Sequence, residues 1–205
     1  MSPSPRGIRS FVALDLEGDA RPALQALLER LRARGGGVAW TRPEALHLTL
    51  KFLGNVDPDC LARLGERLAA VAAAHPPFTL VVGGYGGFPT LDRPHVLWVA
   101  TVAPELAALA AAVDEAAAAE GFARETRPFH PHLTLGRVRE RRGRGGRAAL
   151  APVLALLRAE GETAALGVSP VRTLTLFRSD LAAAGARHSV LASWPLRGGG
   201  EGAGG

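Results

Sequence analysis

Apolar and polar residues along the chain follow two periods, and these periods predict its helices and strands. Apolar residues spaced three and four apart predict amphipathic helices over 19–34, 59–74, 104–120 and 148–160. Shorter runs, either alternating or continuously apolar, predict strands over 9–16, 46–53, 78–83, 96–102, 132–138, 171–178 and 188–193. Loops are predicted for the glycine-containing residues 84–94 and for the basic, glycine-rich residues 139–147.

The order of these elements repeats along the chain. A strand, a helix, a strand and a helix fill residues 9–74, and a similar order begins again at residue 78. The segments that join the elements are short, so the sequence predicts one domain over residues 1–197. The glycine-rich residues 198–205 are predicted to form a disordered tail.

A four-residue motif occurs once in each half of this repeat. His-Leu-Thr-Leu stands at residues 47–50 and again at residues 132–135, which is 85 positions later (132 minus 47). One His-x-Thr on a strand is a weak signal, since a histidine beside a hydroxyl is common. Two copies in corresponding places predict an internal duplication with a site at its pseudo-twofold axis.

The period of a strand sorts the residues of each motif onto two faces. In the first copy, alternation places His47, Thr49 and Lys51 on one face. The other face of that strand is predicted to point to the core, and it carries Leu46, Leu48, Leu50 and Phe52. In the second copy, His132 and Thr134 share a face, so each motif presents an imidazole beside a hydroxyl.

Two imidazoles and two hydroxyls around one groove suit displacement at phosphorus. Imidazole has a pKa of about 6.5, so near neutral pH one ring can act as a base and the other as an acid. The base takes a proton from the attacking water, and the acid donates one to the leaving oxygen. Threonine hydroxyls donate to the oxygens on which negative charge accumulates. This chemistry needs no metal, and we expect no cofactor.

The composition indicates a basic protein and argues against disulfides and membrane helices. The net charge is +5, and arginine supplies nearly all of the positive charge because Lys51 is the one lysine among 24 basic residues. Arginine suits phosphate, although biased codon usage gives the same excess of arginine.

The single cysteine, Cys60, excludes an internal disulfide. No apolar run is long enough for a membrane helix, and we expect a cytoplasmic protein without a membrane partner.

Four segments of the chain together resemble one known family. They are RSFVALDL at 9–16, HLTLKFLGNV at 47–56, PFHPHLTLGRVR at 128–139 and LTLFRSDLAAAGARHSVLASWPL at 174–196. In this order they resemble the RNA 2′,3′-cyclic phosphodiesterases, also called 2′-5′ RNA ligases, of the 2H phosphoesterase superfamily. The resemblance covers nearly the whole chain.

The resemblance implies both a fold and a substrate. The fold is α+β and bilobal, with a pseudo-twofold duplication, an antiparallel sheet with outer helices in each lobe, and the His-x-Thr strands lining a central cleft. The implied partner is an RNA or nucleotide 2′,3′-cyclic phosphate end, which is opened to a 2′-phosphate. The family is also associated with reversible 2′-5′ joining of RNA ends. We expect hydrolysis to be primary and the protein to be a monomer.

The resemblance also implies roles for individual residues of the two motifs. His47 matches the general acid that protonates the leaving 3′ oxygen, and His132 matches the general base for water. Thr49 and Thr134 would contact the phosphate. Which histidine is the acid rests on the resemblance alone, because the chemistry of two imidazoles is symmetrical.

Two residues beside the second motif are further candidates for the site. Arg137 matches an arginine that holds phosphate in the family, yet strict alternation places it on the face opposite His132. A bulge at Gly136 would turn Arg137 towards the cleft. His130 shares a face with His132 if the strand begins that early, and it would then line the cleft.

Aromatic positions of the family pattern are the remaining candidates. Phe11 and Phe52 match such positions; they would contact a nucleobase if they reach the cleft, and otherwise they belong to the core. His188 stands where the family is expected to carry a tyrosine. We interpret it as a surface or capping residue, and we expect this departure to affect packing or nucleotide contact more than the chemistry.

Two other kinds of function stay open. A metal site could use His47, His130 and His132, because His-x-His on a strand presents two ligands. Against it, no carboxylate lies near either motif and the threonines would have no role. The alternative from another class is a non-catalytic RNA- or nucleotide-binding module that uses the same cleft, and the basic loop 139–147 could serve either function.

Overall fold

The structure is a computed structural model that describes residues 7–139, 144–161, 164–182 and 185–198. The strands in these residues are β1 (Ile8–Asp15), β2 (Val38–Trp40), β3 (His47–Val56), β4 (Phe78–Phe88), β5 (Val96–Val102), β6 (His132–Val138), β7 (Ala165–Val171), β8 (Thr173–Ala182) and β9 (Gly185–Pro195). The helices are α1 (Ala20–Arg34), α2 (Pro58–Ala74), α3 (Leu106–Ala119) and α4 (Arg144–Glu160). A short 3₁₀ turn, Pro43–Ala45, precedes β3.

The described strands form one antiparallel sheet in the order β7-β4-β5-β6-β3-β1-β8-β9, with β2 paired to β6. At its centre, β3 and β6 are paired only through Leu48 and Leu133. This narrow junction divides the sheet into a first half (β3, β1, β8 and β9) and a second half (β6, β5, β4 and β7). The predicted α+β fold with antiparallel sheets is confirmed, and the structure adds that the two sheets join at this junction. The pseudo-twofold relation of the halves stays a prediction.

The helices pack on one face of the sheet and share a hydrophobic core with it. In α1, the buried leucines at helical spacing are Leu24, Leu27, Leu28 and Leu31. In β1, Val12 and Leu14 belong to this core, whereas Phe11 and Ala13 lie on the other face in a small separate cluster with Phe177. We call this other face, which the helices do not cover, the cleft face.

The start of α2 shows how local chemistry fixes a helix boundary directly after the first motif strand. The side chain of Asp57 accepts a hydrogen bond from the backbone N–H of Asp59 at 2.9 Å, and Pro58 occupies the first helical position. Leu61, Leu64 and Leu68 then face the core. The chain therefore turns sharply from β3 into a helix that covers the opposite face of the sheet.

Three parts of the fold differ from the sequence prediction. Residues 84–88, predicted as a loop, continue β4 and pair with β5. Gly86 leaves room in this strand for the ring of Trp98, which a side chain at that position would overlap. The strands β2 and β7 were not predicted; β7 contains Pro170, which an edge strand tolerates. Helix α4 begins at Arg144, so residues 144–147 of the predicted basic loop are helical.

Two other predictions fall partly or wholly outside the described part of the chain. Residues 140–143 of the basic loop and residues 199–205 of the predicted tail lie there, and the domain boundary at 197 stays a prediction. Of the helices that the structure describes, none combines the length and apolar character that crossing a membrane requires.

Candidate active site

The two His-x-Thr motifs lie side by side at the junction of the two half-sheets. Leu48 pairs with Leu133, and in an antiparallel ladder this register sets His47 level with Thr134 and Thr49 level with His132. Both leucines are buried, so the two histidines and two threonines share the cleft face. Diagonal neighbours in such a ladder lie about 7–8 Å apart. The two imidazoles are therefore placed to approach one small group from two sides.

Each imidazole is held by the same local hydrogen bond. Nδ1 of His47 lies 2.8 Å from the carbonyl oxygen of Ala45, and Nδ1 of His132 lies 2.7 Å from that of His130. A carbonyl oxygen only accepts, so Nδ1 carries the hydrogen in both rings. Nε2 is then the nitrogen left for a substrate, as an acceptor in the neutral ring and as a donor in the protonated ring.

A bulge in β3 reverses the faces of the residues that follow the first motif. Leu50 has no partner on β1, because Thr49 pairs with Ala13 and Lys51 already pairs with Val12. Alternation predicted that Lys51 shares the face of His47, and this prediction is wrong. Lys51 points to the helix side, where its Nζ donates to the carboxylate of Asp114 and to a backbone carbonyl.

The same bulge brings Phe52 to the cleft face, whereas strand alternation in the sequence predicted it on the core face. Its side chain is 67% exposed, and its ring centroid lies 6.1 Å from that of Phe11. A phenylalanine exposed to this degree does not belong to the core, and its place two residues after the first motif suits contact with a nucleobase. That contact stays a prediction.

A second bulge decides the position of Arg137. Thr134 pairs with Trp98 and Gly136 with Leu97, so the residue between them in β6 has no partner. Leu97 is fully buried on the core side, which places Gly136 on that side and Arg137 on the cleft face. Strict alternation gave the opposite face. The register instead supports the alternative with a bulge, in which Arg137 stands on the same face as His132.

Aromatic rings surround His47 and form what we call the first aromatic cluster: Phe11, His47, Phe177 and His188. The rings of Phe11 and His47 are stacked with centroids 4.6 Å apart, and the ring of Phe177 lies 5.2 Å from Phe11 and 6.1 Å from His47. His188 lies 5.0 Å from both Phe11 and His47. Its interpretation as a surface or capping residue missed this contact, because nothing in the sequence shows that β9 brings it to the first motif.

A second aromatic cluster surrounds the other motif histidine and consists of Phe88, Trp98, His130 and His132. The ring centroid of Phe88 lies 5.0 Å from that of His132, and that of His130 lies 4.8 Å from that of Trp98. His130 therefore lines the cleft side, as its spacing suggested. Phe88 and Trp98 were not predicted, because Phe88 was assigned to a loop and the register of β5 against β6 is not visible in the sequence.

The cleft lowers the pKa of both motif histidines. Burial is the main cause for His47, whose pKa falls to about 4; the bond to Ala45 opposes the shift and nearby His188 adds to it. Burial likewise lowers the pKa of His132, and the charges of His130 and Arg137 contribute. In the protein without substrate, His47 is therefore neutral at pH 7.

The lowered pKa of His47 predicts how stability depends on pH. An unfolded histidine titrates near pH 6.5, so the unfolded chain binds this proton more readily than the folded one. The contribution is present above pH 6.5 and is lost as the pH falls towards 4. The difference between 6.5 and about 4 corresponds to about 3.5 kcal/mol of unfolding free energy, since one pKa unit corresponds to about 1.4 kcal/mol.

Urea unfolding at pH 7 and pH 4.5 measures this dependence. The loss of stability between these values should be smaller in His47→Asn than in the wild-type protein. His95→Asn, which removes an exposed histidine in a turn, is the matched control and should behave as wild type. An equal loss in His47→Asn and wild type would contradict the prediction.

The predicted metal alternative draws its residues from both aromatic clusters. His130 and His132 belong to the second aromatic cluster, whereas His47 belongs to the first. Within the described ranges, no three His, Cys, Asp or Glu side chains converge as metal ligands would.

Fold and site together define a class of protein: an α+β protein with one antiparallel sheet and two His-x-Thr strands at its centre. The family described as the 2′-5′ RNA ligase superfamily matches residues 20–180. The chain belongs to this superfamily.

Individual relatives agree with this membership. A protein of Methanothermobacter thermautotrophicus is 32% identical over 179 residues, which are 87% of this chain and 93% of that protein. A protein of Archaeoglobus fulgidus is 38% identical over 135 residues, which are 65% of this chain and 74% of that protein. Both are named RNA 2′,3′-cyclic phosphodiesterase. Among solved structures, E. coli LigT has a TM-score of 0.69 and 26% identity, with 93% of this chain and 98% of that chain covered.

Proposed function

We propose that the protein is an RNA 2′,3′-cyclic phosphodiesterase that hydrolyses the cyclic phosphate to a 2′-phosphate without a metal. The observation that supports this proposal is the arrangement of the two motif strands. Each presents an imidazole on the cleft face, with Nδ1 bonded to a backbone carbonyl and Nε2 left for the substrate. Each imidazole also lies level with a threonine of the other strand.

In the proposed reaction the two histidines move one proton each. Nε2 of neutral His132 takes a proton from water as its oxygen attacks phosphorus. The bond from phosphorus to the 3′ oxygen breaks, and protonated His47 donates its Nε2 proton to that oxygen. The products are a 2′-phosphate and a 3′-hydroxyl. If the 5′-hydroxyl of another RNA attacks phosphorus in place of water, the same step gives a 2′-5′ linkage and a 3′-hydroxyl, and its reverse cleaves that linkage.

Three donors stand where charge develops on the phosphate. Thr49 and Thr134 lie beside the histidines on the cleft face, and Arg137 follows on the same face of β6. Hydroxyls and a guanidinium in a partly dehydrated groove stabilise the additional charge of the transition state. The negative phosphate also raises the pKa of His47, which allows that histidine to act as the acid although burial lowers its pKa in the free protein.

The relatives support this proposal at the level of their names. Several homologues at 32–38% identity are named RNA 2′,3′-cyclic phosphodiesterase. The E. coli LigT structure is described as a complex with 3′-AMP, so a nucleotide binds to that protein. A cleft of the same fold is therefore suited to a nucleotide in this chain also.

The direct test is incubation with an oligoribonucleotide that ends in a 2′,3′-cyclic phosphate. We expect conversion to the 2′-phosphate, identified by its resistance to a 3′-specific phosphatase, and equal rates with and without EDTA. A 3′-phosphate product would contradict the assigned leaving group. Loss of activity in EDTA with recovery on adding zinc or manganese would support the metal alternative instead. Binding without any turnover would support the non-catalytic module.

A further inference from the structure

A polar cavity lies on the first half of the sheet, beyond the reacting groups. Its volume is about 350 Å³, and its lining includes Arg9, Asn55, Arg178, Ser179 and Asp180. We call it the Arg9 pocket. None of these residues belongs to the two motifs or to the aromatic clusters.

The strand register connects the Arg9 pocket to His47. Arg9 and Phe11 are two residues apart in β1 and share the cleft face, which separates them by about 7 Å along the strand. The ring of Phe11 is stacked on that of His47. Arg9 therefore lies one strand period beyond the ring that contacts the motif histidine, on the same face of the sheet.

The neighbouring strands continue this row in polar residues. Asn55 of β3 pairs with Arg9. On β8, Ser179 directly follows Arg178, the last residue of that strand paired with β1, and it pairs with His188 of β9. The next row towards the motifs is apolar, with the exposed Phe52 beside Phe11. A polar row thus lies alongside an aromatic one on the cleft face.

The charge of the pocket is positive. Asp180 accepts a hydrogen bond from Nε of Arg178 at 2.8 Å, so these two charges offset each other. Arg9 is exposed and has no ion pair within the described residues. The guanidinium of Arg9, with the amide of Asn55 and the hydroxyl of Ser179 as further donors, suits a phosphate diester.

We propose that the Arg9 pocket binds the phosphodiester that precedes the reacting end of an RNA chain. The exposed ring of Phe52 then stacks on a base between the two phosphates, as aromatic side chains on sheets do with single-stranded RNA. A cyclic mononucleotide has no second phosphate and leaves the pocket empty. The pocket therefore makes the enzyme select RNA ends over mononucleotides. This inference rests on the proposed function.

Kinetics with two substrates and two charge-matched variants test the proposal. The substrates are a 2′,3′-cyclic mononucleotide and a short oligoribonucleotide with the same cyclic end. Arg9→Gln should lower kcat/KM for the oligonucleotide three- to tenfold and leave that for the mononucleotide within twofold. In a plot of the logarithm of the oligonucleotide binding constant against the logarithm of the salt concentration, the slope should become shallower by about one. Arg34→Gln, at the exposed end of α1 on the helix side, removes the same charge and should change neither value.

The outcomes separate this inference from the proposed function. If wild-type protein turns over neither substrate, the proposed function fails. If it turns over both, but Arg9→Gln lowers both alike or behaves as Arg34→Gln, the Arg9 pocket is not a binding site for RNA. If Arg9→Gln does not fold, Asn55→Asp tests the proposal in its place. A carboxylate beside the bound phosphodiester must lower kcat/KM for the oligonucleotide and not for the mononucleotide. A kcat/KM for the oligonucleotide equal to that of the wild-type protein would overturn the proposal.

Discussion

Replacing His132 by alanine is expected to lower kcat for a 2′,3′-cyclic nucleotide by about 10²–10⁴-fold, the usual contribution of a general base. The loss should fall on kcat more than on KM, because the histidine moves a proton and the threonines and Arg137 still hold the phosphate. The fold should persist, since the imidazole is on the cleft face and the core beneath it is made by Leu133. Steady-state kinetics and a thermal unfolding scan measure both expectations.

The pH dependence of the same variant gives a second readout. A base must be deprotonated, and the cleft lowers the pKa of His132. The pH profile of wild-type kcat/KM reports the free enzyme, so its loss at acid pH should have a midpoint below the ordinary histidine value of about 6.5. His132→Ala should lose this dependence in its residual activity. His95→Ala, at an exposed turn, is the control. Full activity of His132→Ala would remove the histidine from the mechanism.

Strand alternation predicted the centre of the site correctly and failed beyond it. It places His47 with Thr49, and His132 with Thr134, and the structure shows these faces. It fails two residues later in each strand, because a bulge inserts one residue and turns the following side chains over. A bulge is set by pairing with a neighbouring strand, so a period computed from one strand alone does not contain it.

The two aromatic clusters show a different limit of prediction. Phe88 and Trp98 reach His132 from β4 and β5, and His188 reaches His47 from the far strand of its half. These contacts join residues distant along the chain, and they depend on strand order and sheet curvature. The motifs themselves are local, so the sequence alone supplied them. An exposed partner such as Phe52 was recoverable only from the family resemblance.

The order of the helices along the chain was predicted well for a related reason. Leucines spaced three and four apart define α1 and α2 without reference to any neighbour. The edge strand β7 has no such independent signal, since Gly167 and Pro170 interrupt its pattern and only pairing with β4 maintains it. Local sequence signals are thus sufficient to predict these helices, whereas a strand with a weak pattern can be identified only together with the strand that pairs with it.

Replacing His47 by alanine is expected to cost a similar 10²–10⁴-fold in kcat with an oxygen leaving group. A substrate in which sulfur replaces the 3′ oxygen distinguishes the acid from the base. A thiol has a pKa of about 8.5, so it leaves as a thiolate without needing a proton, whereas an alcohol does not. The deficit of His47→Ala should therefore shrink to about tenfold or less with the sulfur substrate.

The same substrate must leave the deficit of His132→Ala unchanged, because activating water does not depend on the leaving atom. Both variants are compared with wild type on the oxygen and sulfur substrates, with the release of thiol measured directly. Rescue of His132→Ala instead of His47→Ala would exchange the two roles while keeping the paired mechanism. Rescue of neither would mean that no histidine protonates the leaving group. The symmetrical hydrogen bonds of the two rings cannot decide between these roles, because each leaves Nε2 towards the same groove. The leaving atom breaks that symmetry, since only the acid acts on it.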